Sequence, residues 1–273
     1  MSRPAGRRGI YILASVIIIL LVAAAGVAVT LIPQGSMLCQ QVVVPAYFYP
    51  GPSWTRAVES KPVPSMMIMD VTSSGAGSSP DRNYQRTVRR ARDAGITVMG
   101  YSNTDYGHRP AAEVELDVRN YKAWYGVTDM FLDAVSSDSG ALPYYRRLAG
   151  YIHRLDPGST VMLNPGTYPD RQYMSVGDVV LVYENTYANY RKLRVPRWAA
   201  AYPADKFATL IYSTPDSQFT SALDLSRRRN AGYVYVTGTG GLNPYRALPS
   251  YWPRENGLLA AQCSLSQAGY RPG

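Results

Sequence analysis

The sequence predicts an α/β fold: a single (β/α)8 barrel of the TIM type, preceded by one N-terminal transmembrane helix. Three observations predict the barrel. Eight short runs rich in Val, Ile, Leu, Met and Tyr recur at residues 42–49, 65–71, 96–102, 128–135, 160–164, 178–184, 207–213 and 233–237, as expected of strands covered on both faces. Helical patterns lie between several of them, which makes the sheet parallel. The glycine-rich first turn of an open dinucleotide-binding sheet is missing, and eight units in about 235 residues fit a closed barrel better.

The elements follow from local signals. The best-marked helix begins at Ser79-Pro80-Asp81, read as N-cap, first-turn proline and first-turn acid; Tyr84, Val88, Ala91 and Ala94 then share a face before Gly95 ends it. Further helices are expected over residues 111–124, 142–155 and 218–231, whereas the connections after the first and sixth strands read as irregular. The Gly/Ser-rich stretch 73–79 lacks the lysine and spacing of a phosphate loop and reads as a flexible rim.

Composition sets the class. The chain has 273 residues, 46% hydrophobic and 17% charged, which is a foldable globular balance. Tyr outnumbers Phe by 23 to 4, so its aromatic surface mostly carries hydroxyls and suits a groove for a polar ligand. Arg3, Arg7 and Arg8 precede an uncharged apolar run at residues 9–32, 24 positions long and enough to cross a bilayer. The basic flank places residues 1–8 in the cytoplasm, 9–32 in the membrane, 33–40 as a linker and 41–273 outside the cell. A cleavable signal peptide is the competing reading, with Ala23-Ala24-Ala25 as its site, although the apolar run continues beyond it. In that case the domain is secreted. Without residues 1–34 the net charge falls from +9 to +6, which is ordinary for a soluble domain.

The clusters Arg89-Arg90-Arg92 and Arg227-Arg228-Arg229 fall on predicted helices and read as solvated outer faces, so no nucleic-acid partner is expected. Cys39 and Cys263 lie near the two ends of the exported part, where an oxidising compartment favours a disulfide; a lipid-modified Cys39 is the rival. The histidines are His108 and His153, too few for a zinc site, and neither a metal nor another cofactor is expected.

Barrel active sites gather at the carboxyl ends of the strands. In order, these ends offer Pro45, Tyr47 and Tyr49; Asp70; Tyr101, Asn103 and Thr104; Asp133; Asn164 and Thr167; Glu184 and Tyr187; Tyr212; and Thr237. Acids with tyrosine faces and amides suit a glycosidase cleft, since glycoside hydrolysis needs two carboxyl groups across the scissile bond. Asp133 and Glu184 end the fourth and sixth strands, and alternate strands share inward layers. Strict alternation puts Phe131 with Asp133 and Val182 with Glu184. The plainer reading of each acid is a helix cap or an Arg partner. Asp70 is either a third cleft acid or half of a rim salt bridge, and His108, beside Tyr106, is either a substrate contact or plain loop.

The runs Val44-Pro45-Ala46-Tyr47-Phe48-Tyr49-Pro50, Gly100-Tyr101-Ser102-Asn103-Thr104-Asp105-Tyr106-Gly107, Trp124-Tyr125-Gly126-Val127 leading to Phe131-Leu132-Asp133, Leu163-Asn164-Pro165-Gly166-Thr167, Tyr183-Glu184 and Leu248-Pro249-Ser250-Tyr251-Trp252 resemble the spherulin-4 family over residues 43–255. The resemblance implies a (β/α)8 barrel and endo-acting hydrolysis of an α-1,4-linked galactosamine-containing polysaccharide. By position it implies Asp133 as nucleophile or base and Glu184 as acid. Tyr47, Tyr49, Asp70, Tyr101, Asn103, Tyr106, His108, Asn164, Tyr187 and Tyr212 are the candidate substrate contacts. The family often has Asp-Glu where this chain has Asp133-Ala134; alternation then points residue 134 away from the cleft. A catalytically impaired carbohydrate-binding protein of the cell envelope is the alternative function, and a monomer is the expected state.

Overall fold

A computed structural model describes residues 39–267. Eight parallel strands close into a barrel in sequence order: β1 Gln41–Ala46, β2 Met66–Met69, β3 Thr97–Asn103, β4 Asp129–Asp133, β5 Val161–Leu163, β6 Val179–Thr186, β7 Phe207–Tyr212 and β8 Tyr233–Val236. The helices are α1 Pro52–Glu59, α2 Arg82–Asp93, α3 Ala111–Tyr125, α4 Leu142–Leu155, α5 Tyr187–Tyr190, α6 Phe219–Arg228 and α7 Trp252–Gln267. Every expected strand is present, and the core is continuous from strand to helix. The tail at 1–8, the apolar run at 9–32 and linker residues 33–38 lie outside the described residues. No helix among the described residues is long and apolar enough to cross a membrane.

Several boundaries differ from the sequence reading for local reasons. Asp81, not Ser79, caps α2: its carboxylate accepts the Asn83 and Tyr84 N–H groups at 2.6 and 3.2 Å. Gly95 stops that helix as expected, at φ +87°, a conformation glycine adopts without a Cβ clash. The connection after β1 is not irregular but holds α1, started by Pro52 and buried through Trp54 and Ala57. Two buried positions in an eight-residue helix leave too little periodicity to read. The connection after β6 contains only the single turn α5, capped by Thr186, followed by two 3-10 turns.

Cys39 and Cys263 form a disulfide, with Cα atoms 4.6 Å apart. Residues 39 and 40 are therefore part of the domain and not linker. Gln40 is buried, its amide donating to Ser226 Oγ and the Ala231 carbonyl at 3.0 and 2.8 Å.

The closure between β1 and β8 is brief, pairing Gln41 with Tyr233 and Val42 with Val234. Beyond it, the Val236 N–H is accepted by Glu255 Oε1 of α7 at 3.0 Å, so a buried side chain continues what the ladder leaves off.

The Gly/Ser-rich stretch expected to be a flexible rim is tied down. Ser73 N–H bonds Asp70 at 2.6 Å, Ala76 N–H bonds Asp117 at 3.1 Å, and the Ser74 carbonyl accepts from Asn103 N–H and Arg109. Arg109 reaches Asp117 at 2.8 Å in a largely buried ion pair that also engages Ser102. The loops after β2 and β3 thus share one polar anchor at the barrel mouth.

Candidate active site

Asp133 ends β4 opposite Asn103 of β3, as alternation within that strand requires. Its carboxylate accepts two hydrogen bonds, from the Tyr101 hydroxyl to Oδ2 at 2.7 Å and from Asn164 Nδ2 to Oδ1 at 2.6 Å. The strand stops there. Ala134 has φ +48°, so it is not the next outward-facing strand residue that strict alternation implies. Its carbonyl accepts the Tyr106 N–H at 2.7 Å and the Thr104 hydroxyl at 2.8 Å, which pins the turn after β4 to the loop after β3.

Glu184 reaches the same place by a different route. Val180 and Val182 both pack into an outer cluster with Met174, Ala199 and Phe207. Strict alternation would put Glu184 there too, contrary to its position in the mouth. The register against β7 slips between Leu181 and Tyr183, so that Tyr183 faces Thr209 and Glu184 faces Leu210. This bulge re-aims one side chain, and the expectation that Val182 and Glu184 share a face fails because of it. Glu184 Oε2 then accepts from Asn164 Nδ2 at 2.6 Å.

The two acids therefore share one amide nitrogen. Each oxygen lies 2.6 Å from it, so these oxygens are separated by at most twice that distance, about 5.2 Å. Desolvation by burial, and then the Asp133 charge, push the Glu184 carboxyl up to about 7, while the hydrogen bond from Asn164 acts in the opposite direction. Burial also raises Asp70, against hydrogen bonds from Ser73 and Thr72 N–H groups, and the Asp133 charge adds to the rise. Burial holds the Tyr47 and Tyr101 hydroxyls far above the ordinary phenol range, with the Asp133 charge as a further cause, so both are neutral donors.

Tyrosines form one wall of the mouth. Tyr47 contacts Tyr101 and Tyr245 edge-on, each with centroids 5.5 Å apart, and Tyr245 meets Tyr212 at 6.4 Å. Tyr245 was not among the sequence candidates. It comes from the long segment after β8, where Asn243 accepts the Tyr245 N–H at 2.9 Å and donates to the Tyr47 carbonyl at 3.1 Å. The Asn243-Pro244-Tyr245 run carries a turn signal, but nothing in it says that the turn folds back over the first strand.

The sequence candidates thus divide. Asp133, Glu184, Asn164, Tyr101 and Tyr47 come together, with Asn103 joined through a 3.4 Å contact to the Tyr101 hydroxyl and Tyr212 through Tyr245. Asp70 caps its own loop at Ser73 and is coupled electrostatically to Asp133. Tyr49 stands away from the pair: it is 57% exposed, and its hydroxyl donates to Asp81 and accepts from Asn83 at the start of α2. Tyr187 is 6% exposed and packed in the core, with Arg191 over its ring. His108 is an exposed loop residue whose N–H bonds the Asp105 carbonyl. Tyr106 is 60% exposed at φ +54°, its ring at the surface of the loop that braces Ala134.

Comparison with known proteins matches the chain to a family. The model of Spherulin4, spherulation-specific family 4, matches residues 41–257. Spherulin-4 of Physarum polycephalum is 28% identical over 234 residues, covering 81% of this chain and 70% of that protein. The crystal structure of Aspergillus clavatus Sph3 in complex with GalNAc superposes with a TM-score of 0.70 at 26% identity, covering 81% of this chain and 97% of the other.

Proposed function

Because the chain belongs to spherulation-specific family 4, we propose that it is a glycoside hydrolase that cleaves an amino-sugar polysaccharide within the chain, in the manner of an endo-α-1,4-galactosaminidase. The observation that carries this reading is the pair Asp133 and Glu184 held to one nitrogen at the barrel mouth. Two carboxyl groups about 5 to 5.5 Å apart are the arrangement in which one attacks the sugar and the other serves first as acid and then as base. The bound GalNAc of the similar Sph3 supports an amino sugar as the unit recognised.

Glu184, neutral below about pH 7, gives its proton to the departing glycosidic oxygen. Asp133, oriented by Tyr101 and Asn164, attacks the anomeric carbon as the carbon–oxygen bond breaks. Glu184, now a carboxylate, takes a proton from water, whose oxygen displaces Asp133 and restores both acids. Tyr47 and Tyr212, packed against the buried Tyr245, offer apolar faces for sugar rings and hydroxyl edges for their polar groups.

The test is release of reducing ends from α-1,4-linked galactosamine and N-acetylgalactosamine polymers. Asp133→Asn and Glu184→Gln are each expected to lower kcat by ~10²–10⁴-fold; variants as active as the parent would refute the assignment. Ala134 favours a second reading, a carbohydrate-binding protein with little turnover, because the resemblance implies an acid there in many relatives. Tight oligosaccharide binding without product over long incubation would select that reading.

We also propose that the barrel works outside the cell, tethered by residues 9–32. The Cys39–Cys263 disulfide supports this, since such bonds persist in oxidising compartments. Protease added to intact cells should degrade a C-terminally tagged barrel; protection of the tag would reject the topology.

A further inference from the structure

The end of β5 has a construction that substrate contact does not explain. Asn164 is 5% exposed, and its main chain brackets Asp133: its N–H bonds the Leu132 carbonyl at 2.9 Å, and its carbonyl accepts the Val135 N–H at 3.0 Å. Its side-chain Oδ1 accepts the Gly166 N–H at 2.9 Å, while the Gly166 carbonyl accepts the Glu184 N–H at 3.1 Å. Gly166 makes this turn at φ +64°, in the left-handed region that favours glycine, directly after Pro165. The Gly166 N–H demands an acceptor, so the amide cannot rotate by half a turn without facing a donor to a donor and its oxygen to two acids. Both hydrogens on Nδ2 are therefore committed, one to Asp133 and one to Glu184.

We propose that Asn164 is a positioning residue that sets the separation and mutual orientation of Asp133 and Glu184, with the turn Asn164-Pro165-Gly166 aiming its amide. The proposal rests on the hydrolase reading for its consequence in rate, and on geometry alone for its effect on the two acids. The β4 and β6 strands are not paired to each other in the barrel. β5 lies between them, and the amide spans the gap that the sheet leaves.

The surroundings give the sign of the effect. Glu184 faces Asp133 from β4, Asn164 from β5, the Tyr47 hydroxyl from the end of β1 and the Tyr245 hydroxyl from the segment after β8. Asp133 faces Tyr101 and, at longer range, Asp70. Of these, Asn164 holds Glu184 down through its 2.6 Å hydrogen bond, while burial and Asp133 push it up. Removing the amide leaves the upward causes in place.

The experiment uses the full chain. The protonated carboxyl stretch of Glu184 is followed against pH by difference infrared spectroscopy and assigned by its loss in Glu184→Gln. Asn164→Ala is expected to move its midpoint upward from about 7 by ~0.5–1 pH unit, the equivalent of one lost hydrogen bond. On the polysaccharide, Asn164→Ala and Asn164→Asp are each expected to lower kcat by ~10²-fold with KM little changed, the cost of misplacing reacting groups by about an ångström. The Asp variant keeps the volume and the acceptor for Gly166 N–H but loses the donors. An unshifted midpoint in a folded Asn164→Ala protein, or an Asn164→Asp enzyme as fast as the parent, would overturn the proposal. A parent protein without turnover counts against the hydrolase reading alone, and the infrared midpoint still decides the role of Asn164.

Discussion

Ala134 and Glu184 show how single residues depart from the pattern around them. An L-residue at φ +48° stands in a region that costs about 1 kcal/mol for alanine and almost nothing for glycine. Ala134→Gly is therefore expected to stabilise the protein by ~0.5–1 kcal/mol in denaturant unfolding, and a destabilised variant would mean that the Cβ packs usefully. Backbone strain also marks Ser73, Asp105, Tyr106 and Ser213, which follow β2, β3 and β7 at the same end of the barrel. Such strain collects where a loop must present groups to a ligand. At Glu184 the raised carboxyl sets the working range. As the proton donor it must be neutral, so kcat/KM is expected to fall as pH rises through about 7, and a pH–rate profile that stays flat to pH 9 would exclude it as the acid.

At the scale of elements, the seam between β1 and β8 is the place where the barrel depends on side chains. Glu255 is buried, accepts the Val236 N–H and has its carboxyl raised to about 8 by desolvation, opposed by that hydrogen bond. Glu255→Gln retains an acceptor for Val236 and should be tolerated, whereas Glu255→Ala leaves a buried N–H without one and is expected to cost ~1–3 kcal/mol of stability by denaturant unfolding. Close by in the fold, Cys263 of α7 is bonded to Cys39 just ahead of β1. A loop with a sequence separation of 224 contributes roughly 5 kcal/mol in the chain-entropy model. Replacing both cysteines with serine should lower the unfolding midpoint substantially under conditions that leave the parent folded. Equal midpoints would show that non-covalent packing at the seam suffices.

For the molecule as a whole, the two raised glutamates give stability a pH dependence of definite sign. Each binds its proton more tightly folded than unfolded, where the ordinary value is 4.5. The stability they add is fully present below that value and is lost as pH rises towards about 7 for Glu184 and about 8 for Glu255. Melting temperature is expected to decline from pH 5 to pH 8, with a shallower decline in the Glu184→Gln, Glu255→Gln double variant. A double variant with the parent's slope would assign the pH dependence to other groups.

The barrel itself was legible because its causes are local. Eight apolar runs, the Gly95 stop and the face shared by Tyr84, Val88 and Ala91 each act within a few residues, so sequence alone determined the strands and their order of packing. It also determined that Asp133 and Glu184 end strands, and that Cys39 and Cys263 are near neighbours. What only the tertiary structure decided is how those ends meet. The register slip at Leu181 and Tyr183 depends on β7, the fold-back of Tyr245 depends on Tyr47 of another segment, and the commitment of the Asn164 amide depends on acids 31 and 20 residues away. Alternation along one strand carries no information about a bulge imposed by its neighbour. The amide's partners are likewise set by where the closed sheet brings three strand ends, not by any residue's own sequence context.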